Sequence, residues 1–347
     1  MTLAIISKGA IAALLITTSS QVHAQSDSPW TLTGTASLSA SSFQLTDILK
    51  GQSEFSLFLD AAYLENYGTG VGFIRQDQGI KDSDDVVNDI FYLNGWYGWY
   101  PERVPGKVTL ALNLYHGSES IRTASGGGSG NPNPGNPDPG NTDPGNPDPG
   151  NPAPGSGKPS PANVTVFTDS VSVFNPMISF MNYSKTLYLD LGLAQSDFKT
   201  SSSGVSDLQV TQWSPAIGLG LNDLYDWLQF RLFYIELSND ERTPGTDNTL
   251  AASASWTRWL KSKGSLKPEK FNVTLLAGER LYALDHDVRK LYNLTDMQTG
   301  SLIFGAHWKM AETFRFLLYS GYEQYRDVSA NDNYDSLFIY AGLTNQW

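Results

Sequence analysis

Three histidines remain once the first two dozen residues are set aside: His116, His286 and His307. They are the natural places to look for proton transfer or metal ligation near neutral pH. His286 stands between two carboxylates in Asp285-His286-Asp287. That triplet could hold a divalent metal, but it falls between two predicted strands, where a solvated polar loop is the expected state. No metal or cofactor is therefore assigned. Asp82, Asp84, Asp85 and Asp89 make an acidic stretch, and Asp332 and Asp335 a second. Carboxylates suit Ca²⁺ or Mg²⁺, yet the twelve-residue calcium loop with its glycine and closing glutamate is not written here. Serines are plentiful, but no nucleophile elbow or His-Glu-x-x-His pattern accompanies them. The chain is not expected to be an enzyme, and an outer-membrane hydrolase is the weakest of the readings carried forward.

The more informative charges are regularly placed. Glu54, Asp60, Asp190, Arg231, Arg315 and Glu323, together with His307, occupy files of small and polar residues that alternate with apolar ones. Phe55, Leu57, Leu59 and Ala61 oppose Glu54, Ser56, Phe58 and Asp60. Leu187, Leu189, Leu191 and Leu193 oppose Tyr188, Asp190, Gly192 and Ala194. Leu228, Phe230, Leu232 and Tyr234 oppose Gln229, Arg231, Phe233 and Ile235. Period two means a strand, because successive side chains point to opposite faces. Comparable stretches begin at Trp30, Val108, Trp213 and Leu302, and weaker ones cover 69–77, 88–100, 171–183, 249–260, 270–280 and 313–326. Pro215 interrupts one of them, where a bulge or local break is expected. Runs of ten or more residues exceed the usual strand of about five or six and match the roughly nine to eleven needed to cross a bilayer.

The connections alternate in kind. Short ones (66–68, 101–106, 182–185, 222–226, 261–270, 309–313) take turns with longer ones rich in Asp and Asn (76–89, 196–207, 237–248, 279–295, 326–335). Trp and Tyr gather beside the short turns, as interfacial rings do. Residues 125–161 are Gly, Pro, Asn and Asp in a five-residue repeat, with nothing to bury against a core, and read as a disordered loop. Residues 1–24 carry Lys8, a short apolar run and Val22-His23-Ala24, the pattern of a cleaved export signal. The remainder, 25–347, reads as one unit. It contains no apolar run long enough for a transmembrane helix. The net charge of −12 argues against nucleic acid as a partner.

The chain ends inside an alternating strand, Leu337, Ile339, Ala341, Leu343 and Trp347 on one face. In this the sequence resembles bacterial outer-membrane, porin-like β-barrels as a class. That resemblance implies an all-β fold: an antiparallel transmembrane barrel of about fourteen strands, with short periplasmic turns and longer outer loops. It implies that Trp347 is a signal to the barrel assembly machinery, and that lipid and lipopolysaccharide surround the wall. The apolar files would face lipid and the polar files a lumen. The expected function is a passive channel for small polar solutes. The alternative is a non-conducting surface barrel used in adhesion or polysaccharide export. Paired inward charges would suit an open pore or a plug, and a barrel of well over eight strands, which leaves interior space, favours the pore.

Overall fold

The alternating pattern closes on itself. The computed structural model describes residues 29–44, 49–80, 85–122, 169–200, 206–239, 242–243, 245–261, 267–292, 296–328 and 332–347. The expected export signal (1–24) and the Gly/Pro loop (125–161) lie outside the described residues. Fourteen strands form one antiparallel barrel: β1 (Trp30–Gln44), β2 (Leu49–Tyr63), β3 (Tyr67–Ile80), β4 (Asp85–Trp99), β5 (Gly106–Arg122), β6 (Asp169–Asn182), β7 (Leu187–Thr200), β8 (Leu208–Leu221), β9 (Asp226–Leu237), β10 (Asn248–Trp259), β11 (Lys270–Arg280), β14 (Asp296–Lys309), β15 (Phe314–Asp327) and β16 (Asp332–Gln346). Between β11 and β14 lie two short strands, β12 (Leu284–Asp285) and β13 (Lys290–Leu291), which among the described residues pair with each other and not with the barrel.

Closure is made by β1 and β16, in register from Thr33↔Gln346 to Gln44↔Asp335. Trp347 extends that seam. Its N–H donates to Leu32 O (2.8 Å), and Leu32 N–H donates back to its carbonyl (3.0 Å). The indole lies against Gly34, where an added Cβ would meet the ring at 3.2 Å. A closed ladder leaves no edge, which is what lets strands stand in hydrocarbon.

The outward file carries the exposed apolar residues, including Leu59, Val71, Phe91, Leu110, Phe174, Phe230, Leu250, Leu275, Phe304 and Ile339. A belt of that extent is far beyond what a water-facing surface tolerates, and acyl chains are its natural solvent. The fold is that of a transmembrane β-barrel.

The strands, at 11 to 17 residues, run past the length a bilayer needs. Several expected loops are therefore largely strand. β3 continues to Ile80 and β4 starts at Asp85, so the stretch 76–89 is mostly ladder. β15 and β16 likewise consume most of 326–335. The alternation fades there because outward residues turn polar. Arg75 contacts both Asp77 (3.7 Å) and Asp89 (3.4 Å) on that outer face.

Two ladders break at prolines. The β8–β9 pairing skips Ser214 and Pro215, as Pro215 demands. The β6–β7 pairing skips from Phe174↔Gln195 to Met177↔Gly192 around Pro176, which the sequence reading passed over.

The inward file departs from the expected polar lumen. Toward the short turns it is small, polar and partly solvent-accessible, for example Gly220 on β8 and Ser253, Ser255 and Thr257 on β10. Toward the long loops it is apolar and packed. Phe198, Leu208, Val210, Phe233, Ile235, Ala251, Leu276 and Met297 are all buried there, in one cluster with Leu281, Tyr282, Ala283, Leu284 and Leu291. The barrel is a wet cup at the end carrying Trp347 and a dry core at the other.

Candidate functional site

The dry core exists because the segment 281–292 folds into the barrel. A sequence placing Asp285-His286-Asp287 between two strands suggested a solvated outer loop; the structure corrects this. The flanks, Leu281-Tyr282-Ala283-Leu284 and Leu291-Tyr292, are apolar, and burying them recovers about 25 cal/mol for each Å² removed from water. At the base a bulge between Ala277 and Arg280 bends β11, with Gly278 at φ +103°. Only glycine adopts that conformation without strain.

The hairpin is narrow. Leu284 pairs with Leu291, Asp285 with Lys290, and Tyr292 N–H donates to Ala283 O (2.8 Å). Its free backbone edge is met by a side chain. Gln212, buried on β8, donates Nε2–H to Leu284 O (2.7 Å) and accepts from Leu284 N–H at Oε1 (2.9 Å). One amide thus stands in for a neighbouring strand. Arg280 secures the stem: its Nε and Nη2 donate to Gln298 Oε1 (3.0 and 2.6 Å), its Nη1 to Asp285 Oδ2 (3.1 Å), and its guanidinium lies 4.0 Å from the Tyr292 ring centre.

The tip, 286–289, spans the lumen. On one side Arg289 grips Asp60 of β2 with two parallel bonds (both 3.0 Å) and stacks over Phe58 and Tyr92. On the other, Asp287 accepts from Arg231 of β9 (Nε to Oδ2, Nη2 to Oδ1, both 3.1 Å) and from Gln229 Nε2 (2.9 Å). β2 and β9 stand seven places apart in a ring of fourteen, so the tip ties opposite walls.

Arg231 is the hub. Besides Asp287, it grips Asp190 of β7 through Nη1–Oδ1 (2.8 Å) and Nη2–Oδ2 (2.7 Å), and Nη1 also donates to Ser214 O (3.0 Å). All five of its N–H groups are thereby used, which is what allows a charge with 2% side-chain exposure to persist. The Ser214 carbonyl belongs to the ladder gap at Pro215. Asn175 does the same beside Pro176, donating Nδ2–H to Leu193 O (3.0 Å). Interior side chains mend both proline gaps.

His286 sits at the same level, its ring against Gly192, where an added Cβ would be 3.4 Å from Cε1. The side chain is 5% exposed, and neither ring nitrogen has a hydrogen-bond partner among the described residues. Its nearest polar atom among the ion-pair contacts is Asp287 Oδ1, 3.6 Å from Nε2. Burial, reinforced by the adjacent Arg231, holds the imidazole below its ordinary pKa, so the ring is neutral at pH 7 and keeps a lone pair.

Of the charges singled out in the sequence, the structure joins Asp190 to Arg231 and attaches Asp60 to the hairpin. Glu323 accepts from Gln298 (2.9 Å) and Tyr325 OH (2.9 Å), and so meets Arg280 through Gln298. The others stand apart. Glu54 accepts from Gln76 (2.9 Å), His307 Nε2 lies 2.6 Å from Tyr319 OH, and Arg315 pairs with Glu269 (3.1 Å). His116 lies on the outward face, 3.0 Å from Ser172 Oγ. Gln212, Arg280 and Arg289 were not singled out, and Asp287 only as a member of the Asp285-His286-Asp287 triplet. The readable signal for them was the apolar flanking of a charged tip, which a solvated loop does not need.

No protein-family model matches the chain, and no curated protein matches it. Solved structures with a similar trace include a Pseudomonas aeruginosa FadL homologue (9% identity, TM-score 0.43, covering 92% of this chain and 89% of that one). The CymD monoaromatic hydrocarbon channel gives 9% identity and a TM-score of 0.48 over 92% and 89%. A bacterial polysaccharide outer membrane secretin gives 11% and 0.43 over 90% and 98%. These likenesses are loose, and the fold stands on this chain's own strand register.

Proposed function

We propose that the chain acts in a bacterial outer membrane, after export and removal of residues 1–24, as a channel barrel for small polar solutes whose inner hairpin is the gate. Lipid and lipopolysaccharide would surround its wall, and the barrel assembly machinery would receive it through Trp347. The observation that supports this reading is the way the tip is held. It is tied to two opposite walls by ion pairs, at the boundary of a polar, solvent-accessible cup. Ion pairs with a wet side exchange for water at modest cost, whereas a continuous apolar plug does not.

The test is conductance in planar bilayers. The wild-type barrel should conduct weakly or in brief openings, and a barrel whose residues 281–292 are replaced by a short Gly-Ser link should conduct steadily. Reversal of charge at Asp60 should shift ion selectivity in that open variant. A correctly assembled replacement barrel that stays silent would reject the channel reading. It would favour the second one, a non-conducting surface barrel for adhesion or polysaccharide export, which the dry core behind the hairpin supports.

A further inference from the structure

We propose that Asp190, His286 and Asp287 form a binding site for one first-row divalent metal ion of the zinc class, and that the metal latches the hairpin tip to the wall of β7. One ligand atom from each of the three residues lies within 4.8 Å of the others. Two come from the hairpin and one from the barrel, so only the docked hairpin assembles the set.

The orphaned imidazole points to a ligand. A buried polar group without a partner is costly, and interiors seldom keep one. His286 has two such nitrogens in one ring, both enclosed. Among the described residues no donor or acceptor of the wall meets them, although Arg231 nearby uses all five of its N–H groups and Gln212 bonds through both its amide oxygen and its amide nitrogen. A neutral imidazole offers a lone pair that suits zinc, copper, nickel or cobalt ions, and carboxylates complete such sites.

The geometry is close to what coordination needs. Bonds of about 2.0–2.2 Å in a tetrahedron put ligand atoms roughly 3.3–3.6 Å apart. His286 Nε2 and Asp287 Oδ1 already stand at 3.6 Å. The remaining separation needs only side-chain rotation of about an ångström, and Gly192 leaves the ring room to make it. Asp287 is 43% exposed toward the cup, which leaves the fourth position to solvent.

Arg231 does not forbid the ion. It supplies one positive charge to two carboxylates, so the cluster keeps a net negative charge with the ring neutral. Its bonds to Asp190 and Asp287 leave lone pairs on those oxygens and fix their orientation. Metal-bound carboxylates are commonly steadied by such outer hydrogen bonds. The site stands whether or not the barrel conducts, because it needs only the docked hairpin.

The experiment uses the tag-free mature barrel in detergent. Zn²⁺ binding is followed by equilibrium dialysis with elemental analysis, and Co²⁺ by its visible absorption. One equivalent should bind to the wild type, with the intense bands of a low-coordinate cobalt site. His286→Ala should lose at least tenfold in affinity together with the bands, while His116→Ala should retain both. Hydrogen exchange at Leu284 and Tyr292 should slow on adding Zn²⁺ to the wild type and not to His286→Ala. Asp287→Asn serves as a second variant, and should also weaken binding. The proposal is overturned by the absence of stoichiometric Zn²⁺ or Co²⁺ binding. It is equally overturned by binding that His286→Ala leaves intact, which would assign the ion to surface carboxylates.

Discussion

Gln212→Leu tests whether the hairpin is docked by specific bonds or merely by grease. The two side chains are similar in size, so packing changes little. What changes is the backbone of Leu284, whose N–H and C=O both end on the Gln212 amide. Leu284 and Gln212 are each 2% exposed or less, so water cannot replace the lost partners while the hairpin stays docked. Leaving two buried backbone groups unpaired costs about 1–3 kcal/mol each, and the added apolar surface returns about 1 kcal/mol. The docked state should therefore lose about 1–5 kcal/mol, which is roughly a 5- to 4,000-fold shift toward the undocked form.

Amide hydrogen exchange reads that shift directly, because local opening sets the protection of the groups it exposes. The Leu284 and Tyr292 amides should lose protection by that factor. Barrel amides far from the hairpin, such as Ala341 on β16, should not change. Gln212→Glu keeps the acceptor for the Leu284 N–H but loses the donor, and should fall between. If Leu284 protection in Gln212→Leu equals that of the wild type in a correctly assembled barrel, the hairpin is held by packing alone. The reasoning from backbone satisfaction would then be refuted.

Three further outcomes follow from the same geometry. Asp60→Asn and Arg289→Ala, alone and together, should give a coupling of about 1–2 kcal/mol in hairpin exchange, since the pair is bidentate but about a quarter exposed; additivity within error would remove that anchor. Arg231→Met strands the Asp190 carboxylate, which has no exposed surface, and should destabilise the barrel by about 3–5 kcal/mol in urea titration, with most of the loss restored in Arg231→Met/Asp190→Leu; failure of the double variant to recover would place the damage elsewhere, for example at the Ser214 carbonyl. Trp347→Ala should reduce the yield of assembled, heat-modifiable barrel in cells far more than it lowers urea stability once assembled, as expected of a recognition signal; equal effects on both would make the indole a packing residue against Gly34.

The barrel was legible because lipid imposes a rule along every strand. Leu189, Leu191, Phe230 and Leu232 must face acyl chains, so alternation survives wherever the wall meets the membrane. The strand extensions beyond Arg75 and Asp89 were not legible, because outside the hydrocarbon both faces are free to be polar and the period loses its contrast. The file Gln229, Arg231, Phe233, Ile235 was read as lumen-facing from its parity, and it does point inward. Its change of character halfway, from polar to apolar, is the local trace of a dry core. A strand's period reports which face a residue takes; it carries nothing about what fills the space opposite.

That missing partner explains why the site was harder to read than the wall. Asp190 and Arg231 lie at one level on β7 and β9, with Ala216 of β8 between them, and one guanidinium against one carboxylate uses only part of its donor set. A buried Arg with five N–H groups needs acceptors from several directions. The wall offers Asp190 and the Ser214 carbonyl freed by Pro215; the rest must arrive from inside the lumen. Asp287 fills that place and brings His286 with it. The proline gap, the buried arginine and the inserted tip are therefore one arrangement. Closing the gap should release the Arg231 Nη1 bond to Ser214 and loosen the tip. Pro215→Val should restore the ladder at Pro215 and raise exchange at Tyr292, and unchanged exchange at Tyr292 with a restored ladder would separate the gap from the hairpin.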